Sequence, residues 1–189
     1  MASYEEEIRK SRRAAEDIVA SASPKESPID QASIRDRQRY AESAYNDRAE
    51  SKRGAKGAFQ IMPNVAEEYA KKMGEGGDLF DPDYNGRMRD RIYDELYNSF
   101  TATNGQPTDS VRTAKALAMY NRGRGAVGDF LQKQKEAGED IYHSLDWVDK
   151  MPWKETRDYV NFVLRGRDIP DTGKTNEQYE SAKKKKGVR

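Results

Sequence analysis

Glu42 is the carboxylate of this sequence best placed to act as an acid. It falls at the end of a predicted helix, and its neighbours Tyr40, Ala41, Ala44 and Tyr45 are aromatic or small. Such neighbours suit a partly dry cleft, where loss of solvation favours the neutral form of a carboxylic acid. A neutral acid can donate a proton near neutral pH, the step that breaking a glycosidic bond requires. The neighbours alone do not separate this role from that of an ordinary surface carboxylate.

A glycine-containing segment follows Glu42 and could form one wall of such a cleft. Its sequence, GAKGAFQIMP, spans residues 54–63. The spacing of Gly54 and Gly57 is typical of a tightly folded backbone, because glycine adopts conformations closed to other residues. Gln60 lies among apolar residues, so we expect its amide to find partners, either in the fold or in a ligand.

The composition excludes several other kinds of chemistry. The 189 residues include no cysteine and one histidine, His143, so thiol nucleophiles, disulfides and multi-histidine metal sites are excluded. We therefore expect neither a metal nor another cofactor. The net charge of +1 argues against a surface built throughout to bind nucleic acid. No stretch approaches the roughly 18 apolar residues of a membrane span, so no integral membrane segment is expected.

The elements that must position these residues are predicted to be helices. Apolar residues repeat at helical spacing, and no alternating run is long enough to indicate a strand. The sequence thus predicts an all-α fold of short helices around a cleft. Helices are expected from Asp30 to Glu42, after Pro63, from Tyr84 to Phe100, through Val111 and Ala118, through Val127 and Leu131, from Ile141 to Val148, and after Pro152.

Proline and charge patterns divide the chain into three parts. Residues 1–29 are predicted to form an N-terminal helix and a linker. Residues 30–167 form the predicted catalytic domain. Residues 168–189 lack apolar spacing and end near four consecutive lysines, so they are expected to be a flexible basic tail.

The residues around Glu42 resemble a known motif. Glu42-Ser43, then Ser51, then residues 54–63 resemble the ES…S…GAxGLMQIMP pattern of the Slt-type lytic transglycosylases, with the same internal spacing. Three later segments resemble further motifs of that family, in the same order. Residues 80–96 are similar to DPxxNIxxGxxYL, residues 116–127 to ALAAYNAGPGAV, and residues 151–164 to LPxxETxxYVxxV.

This resemblance implies a fold and an activity. It implies a lysozyme-like helical domain that cleaves the β-1,4 bond between N-acetylmuramic acid and N-acetylglucosamine in peptidoglycan, forming a 1,6-anhydro sugar. Glu42 would be the catalytic acid and then base. The resemblance places substrate-binding roles on Ser43, Gln60, Tyr120, Asn121, Glu155 and Tyr159.

Two other functions stay open at this stage. A goose-type-like lysozyme would use Glu42 as acid and a water activated by Asp47 or Glu50. A non-catalytic structural or wall-binding module would keep only the fold. Because no leader is visible before residue 30, we expect a bacteriophage-encoded enzyme associated with the virion, its N-terminal helix or basic tail contacting other particle proteins.

Overall fold

The computed structural model describes residues 29–100, 107–166 and 176–187. The expectation of an all-α fold is confirmed, since these residues form helices and isolated bridges but no strand. Within the described parts, none of the helices is long and apolar enough to cross a membrane. The helices are α1 (Gln31–Ser43), α2 (Pro63–Met73), α3 (Pro82–Asn98), α4 (Asp109–Arg122), α5 (Arg124–Glu136), α6 (Asp146–Asp149), α7 (Lys154–Arg165) and α8 (Asn176–Lys186). The predicted N-terminal helix lies outside the described residues.

Local capping explains where the helices that carry the site begin and end. The Asp30 side chain accepts a hydrogen bond from the Ala32 backbone N–H at 3.1 Å and starts α1, as its sequence predicts. Ala44 ends α1 in the left-handed region, with φ of 52°. Asp81 caps α3 by accepting from the Tyr84 N–H at 2.7 Å, and Pro82 occupies the first turn.

Helix α4 is the centre of the hydrophobic core. It packs against α3, α5 and α7, while α1 packs against α7 and α2 against α3. Its buried positions include Ala114, Ala116 and Ala118, small side chains that let neighbouring helices approach closely. The site-bearing helices α1 and α7 are thus held against each other, and α7 is also held against the buried central helix.

Two expectations from the sequence are wrong. The helix predicted from Ile141 to Val148 is reduced to the single turn α6. Its first half is instead a turn in which the Asp140 carboxylate accepts the backbone N–H groups of Tyr142 and His143, at 3.0 and 2.9 Å. Side-chain bonds of this kind compete with helix formation.

The second correction concerns the basic tail. Residues 176–186 form helix α8, and its Tyr179 is buried against Tyr40 of α1 and Phe162 of α7. Glu177 in the first turn and lysines in the last turn match the helix dipole. This segment is therefore docked on the domain, whereas the rest of the predicted tail lies outside the described residues, apart from Gly187.

Lys115 on α4 is a buried cation in this core. Its side chain is about as buried as the apolar residues around it, with the residue only 2% exposed. The Nζ atom lies 5.0 Å from the ring centre of Phe100 and 4.9 Å from that of Tyr142. Burial lowers the pKa of Lys115 to about 8, although the Asp140 carboxylate acts in the opposite direction.

We expect Lys115 to make stability depend on pH. The unfolded chain binds this proton with a pKa of about 10.4, above the folded value, so the folded state is penalised below pH 8 and the penalty disappears as pH rises to about 10.4. Relative to Lys115→Met, the unfolding free energy of the wild type should rise by up to about 3 kcal/mol across that range. Denaturant unfolding at several pH values measures this difference. Lys133→Met, at an exposed position, is the control; parallel curves for wild type and Lys115→Met would contradict the prediction.

Candidate active site

Two helices bring Glu42 and Tyr159 together across 117 residues of sequence. Glu42 lies in the last turn of α1, and Tyr159 lies in α7, which packs against α1. The Tyr159 hydroxyl donates a hydrogen bond to Oε1 of Glu42 at 2.7 Å. Burial and the neighbouring Glu42 charge raise the pKa of Tyr159 well above its usual value, so the phenol stays a neutral donor.

The loop after α1 turns back on itself to form one wall. Tyr45 follows Ala44 with a positive φ of 65°, and its ring is buried. Lys56 forms isolated antiparallel bridges with Glu50 and Ile61. Gly57, with φ of 79°, donates its backbone N–H to the Ala49 carbonyl at 2.9 Å. The predicted tight folding at this glycine is thus explained by backbone packed against backbone.

Asn85 of α3 holds this loop from inside the protein. Its Oδ1 accepts the Phe59 N–H at 2.8 Å, and its Nδ2 donates to the carbonyls of Leu79 at 2.9 Å and Lys56 at 3.1 Å. A buried amide with three satisfied bonds is a strong constraint, because breaking one leaves a polar group unpaired away from water. Asn85 stands at the Asn of the DPxxN motif, a position to which no role is assigned from the sequence.

Gln60 and Tyr120 face the same space from two sides. The Gln60 Nε2 donates to the carbonyls of Gly57 at 3.0 Å and Ala49 at 3.2 Å. The Tyr120 hydroxyl, from α4, donates to the Phe59 carbonyl at 3.0 Å. Burial and the charge of Glu42 raise the pKa of Tyr120 well above its usual value, so it also stays neutral.

Asn121 and Glu155 complete the wall opposite the loop. The Thr156 hydroxyl of α7 donates to Oδ1 of Asn121 at 2.7 Å, which joins α4 to α7 beside the site. Glu155 is exposed at the start of α7. Thr156 was assigned no role from the sequence, although it stands at the Thr of the LPxxETxxYVxxV motif; only the fold shows that this buried side chain contacts Asn121.

One cavity of about 440 Å³ collects most of the predicted site residues. Glu42, Gln60, Tyr120, Asn121, Glu155 and Tyr159 all line it. Among the seven described residues predicted for the site, Ser43 alone is absent from the lining, and its hydroxyl instead donates to the Arg39 carbonyl at 3.2 Å. The lining also includes residues not assigned a role from sequence: Ala41, Ser51, Arg53, Ala55 and Met62.

A second cavity of about 390 Å³ continues from the first. Gln60, Met62 and Tyr120 line both, so they form the boundary between the two. The second cavity has mainly apolar walls, and its lining includes Arg124, which donates to Glu95 at 2.5 Å and to the Tyr69 hydroxyl at 3.1 Å. The two adjoining cavities are called the groove below, and Glu42 lies in the wall of the first.

Arg89 supports α1 from behind the site. Its buried guanidinium donates from Nε and Nη2 to Oε1 of Gln38, at 2.7 and 2.5 Å, one turn before Glu42. It also lies 5.9 Å from the ring centre of Phe59, in the loop wall. Arg89 stands where the family motif quoted above has glycine, and its packing role was missed because its partner is 51 residues away.

This arrangement can transfer a proton to a ligand in the groove. It offers a partly buried carboxyl group oriented by a neutral phenol, with further neutral donors and acceptors around it. Fixed dipoles in a partly dry site can stabilise charge that develops during a reaction without rearranging.

The chain belongs to the Transglycosylase SLT domain family, which matches residues 39–143. It is 33% identical over 128 residues to the soluble lytic murein transglycosylase of Escherichia coli K12, and 30% identical to that of Salmonella typhimurium. Each of these alignments covers 65% of this chain and 18% of the relative. The chain therefore spans about a fifth of the length of the relatives it matches.

Solved structures show the same fold. The 70 kDa soluble lytic transglycosylase of Escherichia coli aligns with a TM-score of 0.59 and 27% identity, over 85% of this chain and 23% of that one. An inactive mutant of the lytic transglycosylase Slt from Pseudomonas aeruginosa aligns with a TM-score of 0.54 and 26% identity, over 83% and 22%. The expected lysozyme-like helical fold of this family is confirmed.

Gly57 and Gly54 test how closely the loop wall is packed. Both have positive φ, but a Cβ at Gly57 would stand 2.1 Å from the Leu79 carbonyl oxygen and 2.4 Å from Asn85 Nδ2. A Cβ at Gly54 would have no atom of the described residues within 4 Å, apart from those of its own chain neighbours. Gly54→Ala should cost about 1 kcal/mol from backbone strain alone. Gly57→Ala should cost at least about 2 kcal/mol more, because the Asn85 hydrogen bonds must shift. Denaturant unfolding measures both, and equal costs would contradict this account.

Proposed function

We propose that this chain is a peptidoglycan lytic transglycosylase that cleaves the β-1,4 bond after N-acetylmuramic acid and forms a 1,6-anhydro product. The observation that carries the proposal is Glu42, oriented by the Tyr159 hydroxyl and opening into a groove. Membership of the family and the similarity to soluble lytic murein transglycosylases support it.

In the first step, Glu42 acts as a general acid. Its carboxyl proton passes to the glycosidic oxygen, the bond from that oxygen to the anomeric carbon of the muramic residue breaks, and the N-acetylglucosamine side leaves as an alcohol. The N-acetyl carbonyl oxygen of the muramic residue attacks the anomeric carbon in place of an enzyme nucleophile. Glu42 is left as a carboxylate, which the Tyr159 hydroxyl stabilises by donating to it.

In the second step, the same carboxylate acts as a base. It takes the proton of the C6 hydroxyl, whose oxygen attacks the anomeric carbon, displaces the N-acetyl oxygen and closes the 1,6-anhydro ring. Because the attacking hydroxyl belongs to the same sugar, the step is unimolecular, and its rate depends on how the groove holds that sugar. Glu42 is protonated again at the end.

The positions of the other carboxylates favour a single acid over the water-using alternative. Neither Asp47 nor Glu50 lines the cavity as the structure describes it. The Asp47 Oδ1 lies 2.6 Å from Nη2 of Arg39, and Glu50 lies 3.9 Å from Lys56. Glu155 is a second carboxylate in the cavity, and we propose that it binds sugar.

Replacing Glu42 tests the acid. Glu42→Gln should lower the rate of sacculus digestion by about a hundredfold to ten-thousandfold, because an amide cannot supply the proton. Asp47→Asn and Glu50→Gln are matched controls that each remove one carboxylate outside the cavity lining and should keep most of the activity. A Glu42→Gln variant with near-normal digestion would overturn the mechanism.

The digestion products decide between the transglycosylase and a lysozyme. Mass spectrometry should find anhydromuropeptides, which are lighter by one water than hydrolysis products. Reducing ends, with activity lost in Asp47→Asn or Glu50→Gln, would instead support a hydrolase that activates water. No digestion by the folded wild-type protein in zymography would support the non-catalytic module.

Delivery by a bacteriophage particle stays a prediction from the sequence. Mass spectrometry of purified particles, with immunodetection of this chain, is the measurement that checks it.

A further inference from the structure

Helix α8 contacts both helices that form the hydrogen bond between Glu42 and Tyr159. Its Tyr179 is 5% exposed and packs edge-on against Tyr40 of α1, with ring centres 5.5 Å apart. The same ring packs edge-on against Phe162 of α7 at 6.0 Å. The segment matched by the family ends at residue 143, so α7 and α8 both lie beyond it.

Four aromatic rings form one cluster between the helices. Tyr40 also lies 5.9 Å from Phe162 and 5.6 Å from Tyr45. Tyr179 is thus the member that closes the cluster from outside. Edge-to-face aromatic pairs contribute beyond the area they bury, so removing this ring loses directional contacts as well as packing.

The Asp36 carboxylate of α1 fixes the position of the Tyr179 ring. It accepts a hydrogen bond from the Tyr179 hydroxyl at 2.5 Å and bonds from the Tyr45 hydroxyl at 3.1 Å. Lys183, one turn further along α8, lies 3.7 Å from the same carboxylate. Burial raises the pKa of Tyr179, and the hydrogen bond to Asp36 acts in the same direction, so the hydroxyl remains a donor.

The cluster lies next to the reacting residues along both helices. Phe162 follows Tyr159 by three residues, the spacing of neighbours on one helix face. Tyr40 precedes Glu42 by two residues and lies in the same final turns of α1, on a different face. Further along, Arg37 of α1 donates from Nε to the Val163 carbonyl of α7 at 2.7 Å. The contact between α1 and α7 is therefore held by Arg37 at one end, by Glu42 and Tyr159 at the other, and by the cluster between them.

We propose that Tyr179 is a positioning residue, which acts on the reaction by holding α1 and α7 at the separation that the hydrogen bond between Tyr159 and Glu42 requires. This inference rests on the proposed function for its kinetic readout. Helix α8 is on this view part of the catalytic scaffold. Small displacements at a reacting group carry large rate costs, so a loosened cluster should act on kcat more than on KM.

A double-mutant cycle with Tyr159 is the test. Tyr179→Ala should lower kcat by roughly tenfold and leave KM within about twofold. In a Tyr159→Phe background, the same change should lower kcat by less than about twofold, because the hydrogen bond through which Tyr179 acts is already absent. Tyr179→Phe keeps the ring and should recover most of the activity.

Two controls separate positioning from loss of stability. Leu131→Ala removes a buried side chain on α5, away from the cluster, and should destabilise the protein with little change in kcat when assayed well below the unfolding temperature. Glu180→Ala changes an exposed residue of α8 and should have no effect. Additive effects of Tyr179→Ala and Tyr159→Phe, or an unchanged kcat in Tyr179→Ala, would overturn the proposal.

Hydrogen exchange separates this proposal from the proposed function. In Tyr179→Ala, backbone amides at residues 40–45 and 159–163 should exchange faster, while those of α4 stay protected. This readout needs no substrate. If the wild type digests no peptidoglycan, the proposed function fails and exchange still tests the scaffold; if exchange is unchanged at both segments, the scaffold role fails whatever the activity.

Discussion

The hydrogen bond from Tyr159 to Glu42 is the constraint on which the site depends. It joins the end of α1 to the middle of α7 over 2.7 Å, so small shifts between the two helices would break it. Loss of this donor would remove one hydrogen bond from a half-buried carboxyl group, which costs free energy in a partly dry site. Arg37 and the aromatic cluster both join α1 to α7, and these contacts limit shifts between the two helices.

The groove wall is held by a second set of buried polar bonds. Asn85 joins the loop to α3, and the Tyr120 hydroxyl joins the same loop to α4. Each bond satisfies a backbone group that would otherwise be unpaired in the interior. The loop has no strand partner within the described residues, so these side chains supply the hydrogen bonds that a neighbouring strand would supply in a sheet. Gln60, in the same loop, is thereby held in the groove.

Most helices are predicted from the sequence, and six of the seven residues that it assigns to the site line one cavity. The wrong expectations have identifiable causes. Helix α1 was predicted together with its Asp30 cap because the signals are local. The helix expected at residues 141–148 does not form in its first half, because Asp140 forms a competing turn. The tail was expected to be flexible because α8 buries a single aromatic ring, that of Tyr179. The α1 partners of that ring lie more than 100 residues away in the sequence. Ser43 carries a motif position, but its hydroxyl bonds within its own helix.

By itself the sequence determined the helical class and the family resemblance, and it picked out Glu42 as the candidate acid, because helical periodicity, caps and motif order are properties of neighbouring residues. Only the tertiary structure decided which residues surround Glu42. Thr156 beside Asn121, Arg89 beneath Gln38 and the docking of α8 all depend on contacts between distant segments. Such contacts form when apolar faces pack and buried polar groups find partners, and neither is encoded at a fixed spacing along the chain.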